Sequence, residues 1–186
     1  MSDKAWKKFE RDIAVRIGEW WLGDPKSFVR TACSGAWPKK RAEGDVVAVD
    51  DAERMRFPFC VDGKHRVGST KFPWHLEQLL THKDHLIVQW WREMGEIETV
   101  KKGKLRMLVA SKRGVMEALA VFGRREVEWL EKSGAGISAL PKVLFSFGRC
   151  EDPAFPSETL TICRFVEFLD TADAEKLKEA VDGKGR

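Results

Sequence analysis

The sequence has no tyrosine, few cysteines and histidines, and no long apolar run. Its four cysteines, at positions 33, 60, 150 and 163, form no Cys-x-x-Cys pair. This spacing argues against a zinc knuckle and against a secreted disulfide scaffold, so we expect reduced, mostly buried thiols. Histidines at 75, 82 and 85 have a spacing that matches no compact zinc site. Because no segment is apolar enough for a signal core or a membrane span, we expect a cytoplasmic protein of a bacterial, archaeal or phage-infected cell.

Eight tryptophans accompany the missing tyrosines. We expect most of them in the core or at an interface, where a large apolar ring contributes most, although an exposed indole can also stack on a nucleic-acid base.

Positive charge is clustered along the chain. The net charge is +4, and 33% of the 186 residues are charged. Clusters favour an anionic partner such as nucleic acid more strongly than the net value does, while charged loops that only face water remain the alternative. The basic clusters are Lys39–Arg41, Lys101–Lys104, Lys112–Arg113, Arg124–Arg125 and Lys184–Arg186.

Hydrophobic periodicity predicts a mixture of helices and strands. This order favours an α/β fold in which helices cover a mixed central sheet, within a single domain over residues 1–186. Asp170 or Thr171 is the expected cap of the last helix. Predicted helices span 4–22, 74–94, 115–122, 125–132 and 172–181, and predicted strands span 28–33, 46–49, 57–61, 105–110, 142–147 and 159–169.

Two apolar runs joined by a polar turn over 50–53 predict a β-hairpin that carries two acids and a lysine. Side chains alternate along a strand, so Asp62 and Lys64 should share a face, and Asp45 can lie beside them on the neighbouring strand. Two carboxylates and an ammonium group at one place favour a Mg²⁺ site for phosphodiester hydrolysis. The alternative is a surface hairpin with a weak ion pair.

Two further polar residues stand beside apolar positions. Glu10 follows Phe9 in the first helix, so it can face the sheet, or it can be a solvated residue paired with Lys7 or Lys8. Gln89 has apolar neighbours in its helix and either serves the site or has no role. His65 is either a phosphate contact or, as we expect, a spectator on the strand face opposite Lys64.

The order of these elements resembles the restriction-endonuclease-like nucleases of the PD-(D/E)xK superfamily. Within it, the chain is similar to archaeal- and phage-type Holliday junction resolvases. The resemblance covers residues 4–113 as a catalytic core and leaves 114–186 as a C-terminal extension of α+β character. An Asp precedes the motif lysine, where Glu is commoner, and a Gly precedes the first motif Asp in place of Pro. The matching residues are Glu10, Ser34-Gly35, Asp45 and Asp62-Gly63-Lys64.

The resemblance implies a Mg²⁺-dependent, structure-selective DNA endonuclease of recombination or repair that acts as a homodimer on branched or duplex DNA. Asp45, Asp62 and the Gly63 carbonyl would hold Mg²⁺ or, in its place, Mn²⁺. Lys64 would orient the attacking water, and Glu10 would join the metal–water network or hold Lys64. The expected DNA contacts are Ser34, Lys39, Lys40, Arg41, Lys71, Gln89 and Lys112.

Two other functions remain open. One is a different nuclease of the same fold, namely a mismatch-nicking, restriction or recombination-associated exonuclease. The other is a catalytically inert DNA-binding or assembly protein. The complete set of two acids and a lysine argues against inertness.

Overall fold

A computed structural model describes residues 4–32, 42–66, 86–112, 117–147 and 158–183. None of the helices in these ranges is long and apolar enough to cross a membrane. The helices are α1 (Lys4–Leu22), α2 (Asp51–Arg56), α3 (Leu86–Met94), α4 (Glu98–Lys101), α5 (Arg124–Lys132), α6 (Phe165–Thr171) and α7 (Ala174–Gly183). The strands are β1 (Phe28–Arg30), β2 (Val46–Ala48), β3 (Phe59–Arg66), β4 (Leu105–Lys112), β5 (Leu119–Gly123), β6 (Lys142–Phe147) and β7 (Glu158–Arg164).

The strands form one mixed sheet in the order β1-β2-β3-β4-β5-β7-β6. Strands β3 and β4 run parallel and stay in register over all eight residues of each, from Phe59 opposite Leu105 to Arg66 opposite Lys112. The described neighbours on either side of this pair are antiparallel. The predicted α/β fold with a mixed central sheet is confirmed and is consistent with a restriction-endonuclease-like architecture.

Both faces of the sheet are covered. Helices α1, α5 and α6 pack on one face, which we call face A, where Ile17, Phe59 and Phe168 are buried together. Helix α3 packs on the other, face B, where Trp91 lies with Cys60. Because side chains alternate along a strand, Phe59 and Val61 of β3 point to face A, whereas Cys60, Asp62 and Lys64 point to face B.

The C-terminal half departs from the sequence-based expectation in two places. The helix predicted over 115–122 is wrong, because Leu119–Gly123 forms strand β5 between β4 and β7. The strand predicted over 159–169 ends at Arg164, and the remainder is helix α6. Short apolar runs buried on all sides carry no clear period, so neighbouring strands decide their conformation.

Smaller corrections concern turns and caps. The polar turn expected over 50–53 is helix α2, whose first turn is capped by the Asp50 carboxylate accepting the Glu53 N–H at 2.9 Å. The cap of the last helix is Asp173, which accepts the N–H groups of Glu175 and Lys176, and not Asp170 or Thr171. The strand predicted over 28–33 ends at Arg30. Residues 74–85 of the helix predicted over 74–94 lie outside the described ranges.

The two cysteines in the described ranges, Cys60 and Cys163, are buried, as expected for most of the thiols. Burial raises the pKa of the Cys163 thiol to about 12, so this side chain behaves as a small apolar group.

Candidate active site

Gly63 of strand β3 is the centre of the site. Its backbone N–H donates to the Asp45 carboxylate at 3.0 Å, and the Asp45 N–H donates to the carbonyl of Val61 at 2.7 Å. Asp45 thus holds β3 on both sides of Asp62. In a regular strand pairing the Gly63 N–H would donate to a backbone carbonyl of the neighbouring strand. Here it donates to the Asp45 carboxylate instead, just beyond the paired residues Val46 and Val61.

Gly44 makes this close approach possible. A Cβ atom at position 44 would lie 2.2 Å from the Val61 carbonyl oxygen, a distance that no side chain tolerates. Thr31 supports the same segment from β1, because its N–H donates to the Asp45 carbonyl at 2.8 Å and its hydroxyl donates to the Gly44 carbonyl at 3.1 Å. The glycine before the motif Asp therefore has a steric reason in this chain.

Asp62 and Lys64 flank Gly63 on face B. The Lys64 ammonium lies 3.0 Å from the Asp62 carboxylate, and the exposed fractions of the Lys64 and Asp62 side chains are 22% and 1%. The shared face predicted from strand alternation is confirmed. The unbroken β3–β4 register shows that Pro58 introduces no bulge that would turn these side chains over.

The electrostatics of the site suit a cation. Asp45 and Asp62 are 2% and 1% exposed, and burying a carboxylate is costly unless charge and hydrogen bonds compensate it. Lys64 pairs with one of them, Asp62.

The donor atoms fit Mg²⁺ in particular. Carboxylate and carbonyl oxygens are its preferred ligands, and few protein groups suffice because the ion keeps several waters. The N–H and C=O of one strand residue point to the same side, so the Gly63 carbonyl points to the side of β3 on which Asp45 lies. Within the described ranges, no group of three or more His, Cys, Asp or Glu side chains could hold a metal. The oxygen atoms available near Gly63 are those of the Asp45 and Asp62 carboxylates and of the backbone.

Glu10 reaches Gly63 from face A. It is 1% exposed and forms an ion pair with Arg30. A Cβ atom at position 63 would lie 3.3 Å from the Glu10 Cγ. The expectation that Glu10 turns to the sheet is confirmed, and the solvated alternative is wrong. Its approach, however, is from the opposite side of β3 to the side chains of Asp62 and Lys64.

Arg30 is a residue of the site that sequence reasoning missed. Besides pairing with Glu10, its guanidinium lies 4.9 Å from the ring centroid of Trp6. The available signal was a charged residue within the apolar run predicted as a strand over 28–33, because a charged side chain that is largely buried needs a partner. Arg30 fixes the first turns of α1 against β1 through these two contacts.

His65 also belongs to face A, as expected. Its ring lies 5.4 Å from that of Phe9, and its Nδ1 is 2.7 Å from the hydroxyl oxygen of Ser111 on β4. Desolvation lowers the pKa of His65 below its usual value. The bond to buried Ser111 fixes the orientation of the imidazole, a contact between parallel strands that the sequence did not indicate.

The structure does not test most of the expected DNA contacts. Gln89 is exposed on α3, between buried Val88 and Trp90, so it is not enclosed by its apolar neighbours. Lys112 is the last residue of β4, and its side chain lies outside the described part of the chain. Outside the described ranges are Ser34, Lys39, Lys40, Arg41 and Lys71. These contacts stay predictions.

Comparison with known families identifies the chain. The family model described as "Phage putative PDDEXK endonuclease" matches residues 5–129. The chain belongs to this family. The match includes Glu10, Asp45, Asp62 and Lys64, and it extends past the expected limit of residue 113 through β5 and most of α5. Membership in a PDDEXK endonuclease family implies a nuclease with DNA as its substrate. Neither the curated proteins nor the solved structures yielded a match.

Proposed function

We propose that this PDDEXK-family protein is a Mg²⁺-dependent endonuclease that hydrolyses phosphodiester bonds in branched DNA, with Mn²⁺ able to replace Mg²⁺. The observation that carries the proposal is the hydrogen bond from Gly63 to the Asp45 carboxylate, since it brings that carboxylate to the backbone between Asp62 and Lys64. Asp45, Asp62 and the Gly63 carbonyl would hold the cation.

Each side chain then has a defined task. A bound divalent cation would polarise the scissile phosphate and lower the pKa of a coordinated water. Lys64 is part-exposed and held by Asp62, so its ammonium can meet an anionic phosphate oxygen and stabilise the charge that develops during attack. Glu10 is a positioning residue, because it packs on Gly63 and anchors Arg30.

The direct test is cleavage of a four-way junction, a flap, a linear duplex and a single strand in the presence of Mg²⁺, with wild type and Asp62→Asn. The matched control is Asp12→Asn, which changes an aspartate that pairs with Lys8 on the exposed face of α1. We expect Asp62→Asn to lose cleavage and to retain DNA binding, and Asp12→Asn to cleave like wild type. Unchanged cleavage by Asp62→Asn would refute the site.

The choice among the substrates tests the finer proposal. Preference for the four-way junction supports a resolvase-like enzyme, whereas equal cleavage of linear duplex favours another nuclease of the same fold. Binding of wild type to DNA without cleavage in Mg²⁺ or Mn²⁺ would favour the inert DNA-binding protein.

A homodimer is part of the same proposal, since two symmetrical cuts at a junction require two active sites. Light scattering at micromolar concentration, with and without junction DNA, tests it. A monomer under both conditions would contradict the junction-resolving function while leaving the nuclease site unaffected.

A further inference from the structure

A groove with a volume of about 850 Å³ lies beside the starts of β3 and β4. The candidate active site lies towards the other end of β3. Pro58 lines the groove and lies six positions before Lys64 in the chain. At about 3.3 Å per strand residue these six steps span roughly 20 Å. The groove is therefore separate from the catalytic residues.

The floor of the groove is mostly apolar. Met55 is 82% exposed there, the most exposed of the large hydrophobic side chains in the described ranges. Pro58, Leu105, Trp129 and Val181 continue the same surface. A groove lined by an exposed methionine and by a tryptophan offers an adaptable surface for an apolar side chain of a partner.

The rim of the groove is cationic. Arg56, Lys102, Lys104, Arg125 and Lys132 line it, and among the described lining residues Glu128 is the single acid. Glu128 is itself bound by Arg124 at 2.7 Å. Two of the cations also have acidic partners, since Arg56 pairs with Asp182 and Lys102 with Glu98. The excess positive charge of the lining therefore comes from Lys104, Arg125 and Lys132.

Two of these cations have neutral partners. The Lys104 ammonium donates to the carbonyls of Arg54 and Phe57, at 2.6 and 2.7 Å, and burial lowers the pKa of this lysine. Arg125 donates to the Gly103 carbonyl at 2.7 Å. Carbonyls orient these groups without cancelling their charge, so an anion in the groove would gain attraction from both.

We propose that this groove binds an acidic peptide segment of a partner protein that carries an apolar anchor residue. The cationic rim is complementary to the acids, and the floor around Met55 and Trp129 is complementary to the anchor. A DNA backbone would use the rim and leave the floor unused. The proposal does not depend on the nuclease function, because none of the proposed catalytic residues lines the groove.

The proposal is tested by fluorescence anisotropy with a labelled synthetic peptide. The peptide consists of several aspartates followed by a phenylalanine. We expect saturable binding that weakens with salt, and that weakens again when alanine replaces the phenylalanine. The double variant Arg125→Glu/Lys132→Glu should bind about tenfold more weakly. The matched control, Arg11→Glu/Arg16→Glu, reverses two charges on the exposed side of α1 and should bind like wild type.

Other outcomes would overturn the proposal. Absence of peptide binding, or equal weakening in both double variants, removes the groove as a peptide site. A labelled single-stranded or duplex DNA whose binding falls with Arg125→Glu/Lys132→Glu but not with the control would assign the groove to DNA. Thermal unfolding of each variant confirms that it is folded. DNA cleavage by wild type is measured separately, so that failure of the peptide proposal can be distinguished from failure of the proposed nuclease function.

Discussion

The Asp45 carboxylate accepts the backbone N–H of Gly63 at 3.0 Å. One aspartate thereby completes the edge of a strand pairing and presents an acidic oxygen beside Asp62. The hydrogen bond gives this side chain a structural role beside the chemical role we propose for it, and substitutions can separate the two.

Replacing Asp45 tests the two roles. Asp45→Asn keeps an oxygen that can accept the Gly63 N–H, so we expect near wild-type stability and a loss of Mg²⁺-dependent cleavage. Asp45→Ala leaves a buried donor without this partner, at a cost of about 1–3 kcal/mol in the free energy of unfolding. Urea denaturation and cleavage assays on both variants measure the difference, and equal destabilisation by Asn and Ala would contradict the role of the hydrogen bond.

Gly44→Ala should damage the site through the backbone. Its Cβ would lie 2.2 Å from the Val61 carbonyl oxygen, so β2 must move away from β3 and take Asp45 with it. We expect a loss of about 1–3 kcal/mol in stability, the usual cost of overpacking, together with reduced cleavage. The control is Gly183→Ala, at a position where a Cβ meets nothing within 4 Å. A Gly44→Ala protein as stable and active as the control would refute the steric argument.

Lys64→Gln should reduce cleavage far more than it reduces stability. Loss of a positioned charge that stabilises a transition state typically costs about 10²–10³ in rate. Lys8→Gln is the matched control, because Lys8 also pairs with an aspartate, Asp12 at 2.7 Å, but on the exposed surface of α1. We expect the control to lose no activity and under about 1 kcal/mol of stability. Single-turnover cleavage with saturating Mg²⁺ measures the effect, and equal rates for the two variants would remove Lys64 from the chemistry.

The ion pair between Glu10 and Arg30 should show strong thermodynamic coupling. Glu10 and Arg30 have side-chain exposures of 2% and 18%, and removing one member of a buried pair leaves an uncompensated charge at a cost of about 3 kcal/mol. We expect Glu10→Gln and Arg30→Met each to destabilise the protein, and the double variant to lose less than the sum. Urea denaturation of the four proteins measures the coupling; strict additivity would contradict it.

Acidification should destabilise the protein through His65. Because burial lowers its pKa in the folded state, the unfolded chain binds the proton more readily, and stability falls as the pH drops from above the unfolded value of 6.5 towards the folded one. His65→Gln should remove this component, so its melting temperature should fall less than that of wild type between about pH 8 and about pH 5. If the melting temperatures of the two proteins fell in parallel with pH, the pH-dependent loss of stability could not be assigned to His65.

Local sequence pattern was sufficient to predict those elements that have one buried face and one solvent-exposed face. The first helix was predicted over its full length, and the polar residues after the apolar start of β3 were placed on the correct faces, because a period of two along a strand is independent of its neighbours. Pattern failed where an element is enclosed. Leu119–Gly123 lies between two strands and is largely buried. Without a solvent-exposed face, its apolar run does not show the alternation of polar and apolar residues that identifies a strand.

Local sequence pattern is enough to indicate the chemical groups of this protein: two acids and a lysine at strand spacing, a first helix that carries a buried-side acid, and an α/β order of elements. How these groups meet depends on tertiary packing. The close approach of Gly44 to Val61 turns the Asp45 carboxylate onto Gly63, and the packing of α1 brings Glu10 to Gly63 from the opposite face. Such contacts depend on distances between segments remote in the chain, which no local spacing encodes.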